Sequence, residues 1–569
     1  MISNRNIPPS VVGLLTLLCH GALLAAPDLI VVNGDIYTVD DLVPRAEAFA
    51  VENGKFVAIG DNDEIRALAG NATRVIDAGG NTVTPGFIDS HSHMSGNAPV
   101  VAGVDLAYVA DKEEWLARVA AADARMPDGE WMTGGYWDHT LSDGRYPTRE
   151  MLDAVVPDRP VYLVHIDGHY GWVNSRALEM AGITADTPVP PGGEILVDSA
   201  TGEPTGILLE GAQTLIRNIV PARSEALRRD GLAKMQRYAN SLGLTGLHQM
   251  GDLDDYLSIV EDGDPTLRVW YGHYAVSGKP MLDDRDIDAI LKTTRDTARR
   301  VEATGKETLS GPLLCAGFVK LINDGVLSAY TAVLLDDYAD RSGWRGEYIT
   351  APERLKLLVE KVTGAGMPVA IHSIGDAAVR TALDALEAAK DNPVPVPNRI
   401  EHMELVHPDD VPRFRELGVV ASMQPNHCTN AIGYVPDRVG VQREDRAYIW
   451  QSLHDAGATL VFGADYPTSP LSPLTQIGDA VFRESPFGFN DGAAWHPEEA
   501  VSFADALLAY TRAGADITPW KDEIGSISVG KWADFVVLTG AVPTPMDNSF
   551  RSLAVDQTFM AGRQVYPGP

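Results

Sequence analysis

Apolar runs of strand length alternate with helical patterns through the middle of the chain. Leu355, Leu358 and Val362 recur at the spacing of one helix face, and a strand-like run from Pro368 to His372 follows directly. Eight strand candidates occur in order, at residues 84–91, 243–249, 267–271, 317–322, 368–372, 399–402, 419–423 and 460–464. Strands that alternate with helices pair in parallel, so eight of them predict an α/β fold, a TIM-like (β/α)8 barrel whose site lies at the carboxyl ends of the strands.

The two ends of the chain are β-rich and differ from the middle. Strand-like runs occur at residues 29–32, 48–51, 56–59, 526–529, 535–538 and 552–559. We expect residues 28–84 and 517–569 to pair into one composite β-sandwich beside a barrel of residues 85–516. About residues 97–236, between the first two barrel strands, are too many for a loop, which predicts an inserted cap subdomain.

The first residues have the pattern of a targeting segment. Arg5 precedes an apolar run at residues 11–18, and a second apolar stretch ends in the small residues Ala25 and Ala26. This predicts a signal peptide over residues 1–26 and export to the periplasm or the exterior. A membrane anchor formed by an uncleaved amino terminus is the alternative. We expect no stable membrane association of the mature form.

The charge balance is strongly acidic. Lys and Arg number 46 against 78 Asp and Glu, which gives a formal net charge of -32. Such a surface repels nucleic acid and anionic lipid, so we expect neither as a partner. A small-molecule substrate is the expected partner, and a homo-oligomer is the default expectation for a soluble protein of this size.

Residues that bind metals or carry protons stand at the ends of the predicted barrel strands. His91 and His93 share one face of the first strand, because side chains on a strand alternate. The other strand ends contribute Lys320, His372, His402 and Asp465. A barrel directs all six side chains into one mouth, so they predict a metal centre there.

The mixture of side chains indicates the kind of ion. Neutral imidazoles and carboxylates bind a borderline divalent ion such as Zn²⁺, and one or two ions fit this set. An ammonium group cannot be a ligand. Lys320 fits the set if CO₂ has carboxylated its amine, since a carbamate can bridge two ions; otherwise Lys320 is an interior amine paired with Asp324.

Several motifs resemble one known family. They read PGFIDSHSH at 85–93, VKL at 319–321 followed by DG at 324–325, HSIGD at 372–376, IEH at 400–402 and GADYP at 463–467. They resemble the amidohydrolase superfamily, in its family 3 branch, which includes N-substituted formamide deformylases. The resemblance extends over nearly all of the mature chain. It includes PDRPV at 157–161, DGH at 167–169, WVNSRAL at 172–178 and GEPTG at 202–206 in the insert.

The resemblance implies a metal-dependent hydrolase that acts on carbon–nitrogen bonds other than peptide bonds. It places His91 and His93 on one metal and His372 and His402 on the other, with carboxylated Lys320 between them. Asp465 would bind metal and act as the catalytic proton carrier. Two alternatives stay open: hydrolysis of esters, lactones or cyclic amides at the same site, and a non-catalytic ligand-binding or regulatory protein on the same scaffold.

The substrate pocket is less clearly marked than the metal centre. His169, Trp137 and Asp138 of the insert could line the mouth, although a structural role for His169 is an equal alternative. Tyr466 stands where the family usually has a small residue, and the segment after Lys320 that contains Asp324 also departs from the family pattern. The candidates for substrate binding are therefore His169, Trp137, Asp138, Asp324 and Tyr466.

Overall fold

The structure, a computed structural model, describes most of the 569-residue chain. The described residues are 26–94, 104–107, 109–166, 168–190, 193–221, 225–251, 256–257, 265–274, 284–304 and 311–568. The predicted signal peptide lies outside them, apart from Ala26, and so does the start of the predicted insert at residue 97.

Eight parallel strands form the centre of the molecule. In spatial and chain order they are Phe87–Ser92, Leu244–Met250, Arg268–Tyr274, Leu314–Ile322, Val369–Ser373, Arg399–His402, Val420–Met423 and Leu460–Phe462. Each pairs in parallel with the next along the sheet. The predicted α/β barrel is confirmed.

The first and last barrel strands meet where the predicted site begins. The amide of Asp465 donates to the carbonyl of His91 at 2.7 Å, and the amide of His93 donates to the carbonyl of Tyr466 at 3.0 Å. A Cβ atom on Gly463 would lie 2.4 Å from the His91 nitrogen, so only glycine permits this approach. The carboxylate of Asp89 accepts the amides of both strands, His91 at 2.9 Å and Ala464 at 3.0 Å.

Two further sheets lie beside the barrel, and the second of them combines strands from both ends of the chain. One contains Lys55–Gly60, Ala48–Glu52, Leu29–Val32 and Arg74–Asp77, and the other contains Arg563–Tyr566, Val555–Met560, Phe535–Leu538, Thr82–Pro85, Asp35–Tyr37 and Arg45–Ala46. Their apolar faces share one core, in which the rings of Phe49 and Phe535 lie 4.9 Å apart. The strand expected at residues 526–529 is absent from this described region. Ile527 is instead an irregular core residue whose amide donates to Thr38, and its burial explains the apolar pattern.

A buried ion pair joins the barrel to these sheets. The guanidinium of Arg268, on the third barrel strand, donates to both oxygens of Asp534, with Nε to Oδ2 at 2.6 Å and Nη2 to Oδ1 at 2.8 Å. Asp534 immediately precedes the strand Phe535–Leu538. The pair therefore ties the two layers together with two parallel charge-assisted bonds.

The segment between the first two barrel strands contains a six-stranded sheet of its own. Its strands in spatial order are Gly193–Val197, Pro204–Glu210, Tyr170–Val173, Val161–His165, Met132–Trp137 and Val104–Asp105. Trp115, Trp137 and Trp172 are fully buried in its core. We call this segment the cap sheet.

The helices surround these sheets. The longer ones are Lys112–Asp123, Glu225–Ser241, Asp284–Thr304, Pro352–Gly364, Asp376–Ala388 and Pro473–Phe482. The shorter α-helices are Asn62–Arg66, Arg149–Asp153, Ser175–Ala181, Thr214–Arg217, Val411–Leu417, Pro425–Ala431, Val435–Val439, Trp450–Asp455, Phe503–Ala509 and Arg512–Asp516. Among the described residues, no helix is both long and apolar enough to cross a membrane.

Candidate metal centre

The structure brings the six predicted ligands to the carboxyl-end mouth of the barrel. Donor atoms of His91, His402 and Asp465 all lie within 4.8 Å of one another. Asp465 Oδ1 lies 3.4 Å from His91 Nε2 and 3.3 Å from His93 Nε2. Lys320 Nζ lies 3.1 Å from His91 Nε2. The ring of His372 lies 4.6 Å from that of His402, between their centroids.

These separations match the chemistry of a bound ion. Two ligands of a tetrahedral zinc ion, each about 2.0–2.2 Å from the metal, are about 3.3–3.6 Å apart. The distances from Asp465 Oδ1 to His91 Nε2 and to His93 Nε2, 3.4 and 3.3 Å, agree with that range. The residues present therefore fit a divalent ion by both donor type and spacing.

Three of the histidines have one ring nitrogen engaged by a protein oxygen. His91 Nδ1 lies 2.6 Å from Glu401 Oε2, and His402 Nδ1 lies 2.8 Å from Gln424 Oε1. His372 Nε2 lies 3.1 Å from the carbonyl oxygen of Gly325. An imidazole that donates a proton from one nitrogen carries its lone pair on the other, so these contacts orient each ring as a ligand.

Two site residues adopt backbone conformations that side chains other than glycine rarely take. His402 has φ 74° and Asp465 has φ 54°. Such left-handed conformations are uncommon outside glycine, cost free energy and are enriched at functional sites. Along a regular strand, Glu401 and His402 would point to opposite faces. In the structure both side chains reach the centre, Glu401 through its contact with His91 and His402 as a member of the ligand group.

Burial sets the charge of the ligands. Burial, aided by the nearby Lys320 amine, lowers the pKa of His91 to about 4 and that of His372 to about 3. Burial also lowers the pKa of His402 well below its usual value. For Asp465, burial would raise the pKa, but the neighbouring His91 and other imidazoles outweigh it and hold the pKa well below the usual range. At neutral pH the centre offers neutral imidazoles and an ionised carboxylate, which are the forms that bind metal.

Comparison with known proteins identifies the chain. A family model described as the amidohydrolase family matches residues 74–566, which is most of the 569 residues. The chain belongs to the amidohydrolase family. It is thus a member of a metal-dependent hydrolase family, and side chains that could hold a metal ion lie at the mouth of its barrel.

Two sequence relatives and one solved structure are similar to this amidohydrolase over nearly its whole length. The Arabidopsis thaliana protein LONG AFTER FAR-RED 3 is 33% identical, with 95% of this chain and 92% of that protein covered. The N-substituted formamide deformylase of Arthrobacter pascens is 29% identical, with 94% and 97% covered. An uncharacterized metal-dependent hydrolase of Pyrococcus furiosus superimposes with a TM-score of 0.68 at 28% identity, with 90% and 98% covered.

The centre of this amidohydrolase includes residues that the sequence reasoning missed. Glu401 belongs to the motif IEH at 400–402 but was assigned no role from the sequence. In the structure it contacts His91, and it pairs with Arg399 at 2.8 Å. His427 was assigned no role from the sequence. In the structure its ring stacks on that of His402, with centroids 5.9 Å apart and planes inclined by 6°. The seventh barrel strand ends at Met423, so nearness to a strand end was the signal available for His427.

A cavity of about 1330 Å³ opens above the metal centre of the amidohydrolase. The barrel contributes Lys320, His372, His402 and Asp465 to its lining, and the cap sheet contributes Asp138 and His169 among others. His169 Nδ1 is also bonded to Glu210 Oε1 at 2.8 Å. Asp138 and His169 thus line the cavity, and their role in substrate binding stays a prediction.

Two substrate-binding candidates, Trp137 and Tyr466, are not among the described residues that line the cavity. Trp137 is fully buried in the core of the cap sheet, with its indole NH donating to the Leu163 carbonyl at 3.0 Å, so packing replaces the role predicted for it. Tyr466 contributes its backbone carbonyl to the closure of the barrel.

Asp324 lies in the cavity lining but serves the backbone. Its carboxylate accepts the amides of Val333, Ile374 and Gly375 at 2.9–3.0 Å. It therefore holds the loops that follow the fourth and fifth barrel strands. The Lys320 amine contacts His91, which does not support the alternative pairing of Lys320 with Asp324.

Proposed function

We propose that the protein hydrolyses an amide or a related carbon–nitrogen bond of a small molecule with the help of one or two divalent ions, with zinc as the best match to the donors. The observation that carries this proposal is the convergence of His91, His402 and Asp465 at ligand distances beside a large cavity. His93, His372 and Lys320 complete the set that would hold the ions.

The chemistry divides between the ion and the protein. A bound divalent ion supplies Lewis acidity, which lowers the pKa of water and polarises a carbonyl group. Asp465 acts as the base that takes a proton from the attacking water and returns it to the leaving nitrogen. The lowered pKa of Asp465, whose carboxylate contacts both histidines of the first strand, keeps this carboxylate ionised. It can therefore accept the proton of the attacking water.

We propose further that Lys320 is carboxylated. Burial lowers the pKa of its amine to about 8, so roughly a tenth of the amine is neutral at pH 7, against less than about one part in a thousand for an ordinary lysine. A neutral amine can add to CO₂ with release of one proton. The resulting carbamate is anionic and can be a ligand, whereas an ammonium 3.1 Å from His91 would repel an ion.

One relative and the cavity support a proposal for the substrate class. By its name, the Arthrobacter pascens relative removes formyl groups from N-substituted formamides. The cavity here is large and is walled partly by tyrosines of the cap sheet, among them Tyr136, Tyr146 and Tyr170. We infer that N-formyl or N-acyl amines with an apolar N-substituent are the first compounds to test.

Activity of the parent and an Asp465→Asn variant tests the proposal. Zinc-loaded protein is assayed with matched N-formyl, N-acyl, cyclic amide, lactone and ester compounds, and the class that turns over fastest identifies the bond. Asp465→Asn keeps the size of the side chain and removes its basicity, so we expect turnover to fall by about 10²–10⁴. Asp455→Asn changes an exposed carboxylate on the helix Trp450–Asp455 and serves as the control. Equal turnover of Asp465→Asn and the parent would remove Asp465 from the proton-carrying role.

We also propose that the protein is exported. The support is the pattern of residues 1–26, with Arg5 before apolar runs and with Ala25 and Ala26 at their end. Expression of the full chain, followed by cell fractionation and amino-terminal sequencing, tests this. A processed protein outside the cytoplasm is expected. An unprocessed protein in the membrane fraction would favour the anchor instead.

A further inference from the structure

A second group of metal-binding side chains lies in the cap sheet, apart from the barrel centre. Asp138, His139 and His165 each offer a donor atom, and these atoms all lie within 4.8 Å of one another. They stand at the carboxyl ends of two adjacent parallel strands, Met132–Trp137 and Val161–His165. This is the same strand-end arrangement that gathers the barrel ligands.

The distances within this group resemble those of the barrel centre. His139 Nδ1 lies 3.2 Å from His165 Nε2, and His165 Nε2 lies 3.5 Å from Asp138 Oδ1. Ligands of a tetrahedral zinc ion that lie about 2.0–2.2 Å from the metal are about 3.3–3.6 Å apart. Two imidazoles and one carboxylate also form a common three-residue zinc set that leaves one position open.

The surroundings hold these side chains in place. The ring of His165, only 3% exposed, lies edge-on to Trp137 with centroids 4.7 Å apart, and His139 lies 4.5 Å from the ring of Tyr146. Asp138 Oδ1 accepts both the amide and the hydroxyl of Thr140, at 2.8 and 2.6 Å. Fixed rings and a hydrogen-bonded carboxylate are what a metal site needs around its ligands.

One face of the group is open to a ligand. Asp138, His139 and His165 all line the cavity above the barrel centre. An ion held by three protein ligands there would present its fourth position to whatever occupies the cavity. A carbonyl or an anionic group of a bound molecule is the chemistry that such a position takes.

We propose that Asp138, His139 and His165 bind a divalent ion of the zinc class, separate from the ions of the barrel centre, with its open position facing the cavity. The hydrolysis proposed above needs only the barrel centre. The cap ion would instead hold the part of the substrate that lies away from the bond being cleaved.

Metal content distinguishes this site from a purely hydrogen-bonded group. The parent, His139→Ala and Asp138→Asn are dialysed against Zn²⁺, freed of unbound ion and analysed by mass spectrometry. His139 is only partly buried, which favours folding of that variant, and thermal melting checks each protein. His454→Ala, at a histidine that is 42% exposed, is the matched control.

The expected result is that both cap variants hold one equivalent of zinc fewer than the parent and than His454→Ala. The test compares the zinc content of each variant with that of the parent, so the result does not depend on whether the barrel holds one ion or two. A His91→Ala, His93→Ala double variant should lose barrel metal and keep the cap equivalent. Equal zinc in the parent and in folded His139→Ala would overturn the proposal and leave Asp138, His139 and His165 as a hydrogen-bonded group alone.

Discussion

Glu401 offers a sharp test of how the barrel centre is held. Its Oε2 lies 2.6 Å from His91 Nδ1, and its Oε1 lies 2.8 Å from Arg399 Nε, with all three side chains buried. The nearby positive groups, Arg399 first, outweigh burial and hold the pKa of Glu401 well below its usual value. The substitution Glu401→Gln keeps the shape of the side chain and removes its negative charge from between His91 and Arg399.

Two effects of different size follow from the geometry. Loss of a carboxylate behind a ligating histidine weakens metal binding by about 10–100-fold, or about 1.4–2.7 kcal/mol. Arg399 would also remain buried without its counter-ion, and removal of one partner of a buried pair costs about 3–5 kcal/mol of unfolding free energy. Glutamine still offers an oxygen as acceptor, so we expect the unfolding free energy of Glu401→Gln to fall by about 3 kcal/mol, the lower end of this range.

Competition with a fluorescent chelator gives the metal affinity, and urea unfolding of metal-free protein gives the stability. Glu499→Gln is the matched control, because Glu499 is also buried but accepts from the Ser452 backbone amide at 2.9 Å. That control should lose stability and keep its metal affinity. The reasoning would be refuted if Glu401→Gln bound zinc as tightly as the parent.

Further predictions concern other buried groups. After growth with ¹³C-bicarbonate, NMR should show a carbamate signal that Lys320→Met lacks, and a signal unchanged in the variant would exclude Lys320 as its source. Burial lowers the pKa of His91 from 6.5 to about 4. Between pH 4 and pH 6.5 the unfolded chain therefore binds more protons at this residue than the folded protein does. The metal-free protein thus keeps its full stability only above about pH 6.5. Urea unfolding should show a loss of up to about 3 kcal/mol from this histidine as pH falls to 4, and a smaller loss in His91→Asn; equal losses would contradict it. Arg268→Ala leaves Asp534 buried without its counter-ion, so it should lower the unfolding free energy by about 3–5 kcal/mol; a change under 1 kcal/mol would show that the contacts with Asp534 contribute little.

The barrel could be predicted from the sequence because its strands are short and mostly buried. Buried parallel strands read as apolar runs, and helices separate them at regular intervals. The ligands could be predicted for the same reason, since His372 and Asp465 stand directly at the ends of such runs. The strand predicted at residues 526–529 is absent because an apolar run can also be buried outside a strand, as Ile527 is.

The supporting residues could not be predicted from strand periodicity. Alternation puts Glu401 and His402 on opposite faces, whereas in the structure both side chains reach the centre, at a position where His402 has a positive φ. His427 lies on the helix Pro425–Ala431, whose direction after the seventh strand is set by packing. Trp137 was misplaced because an aromatic residue beside Asp138 at a strand end fits a core and a cavity wall equally well.

Metal analysis joined to activity tests the central claim most directly. Protein purified without chelator should contain at least one equivalent of a divalent ion and should hydrolyse at least one compound of the amide panel. Removal of the ion by chelation, or by the His91→Ala, His93→Ala double variant, should abolish that turnover, and added Zn²⁺ should restore it only in the parent. A parent protein that holds no stoichiometric metal, or that keeps its full turnover after the metal is removed, would contradict the account.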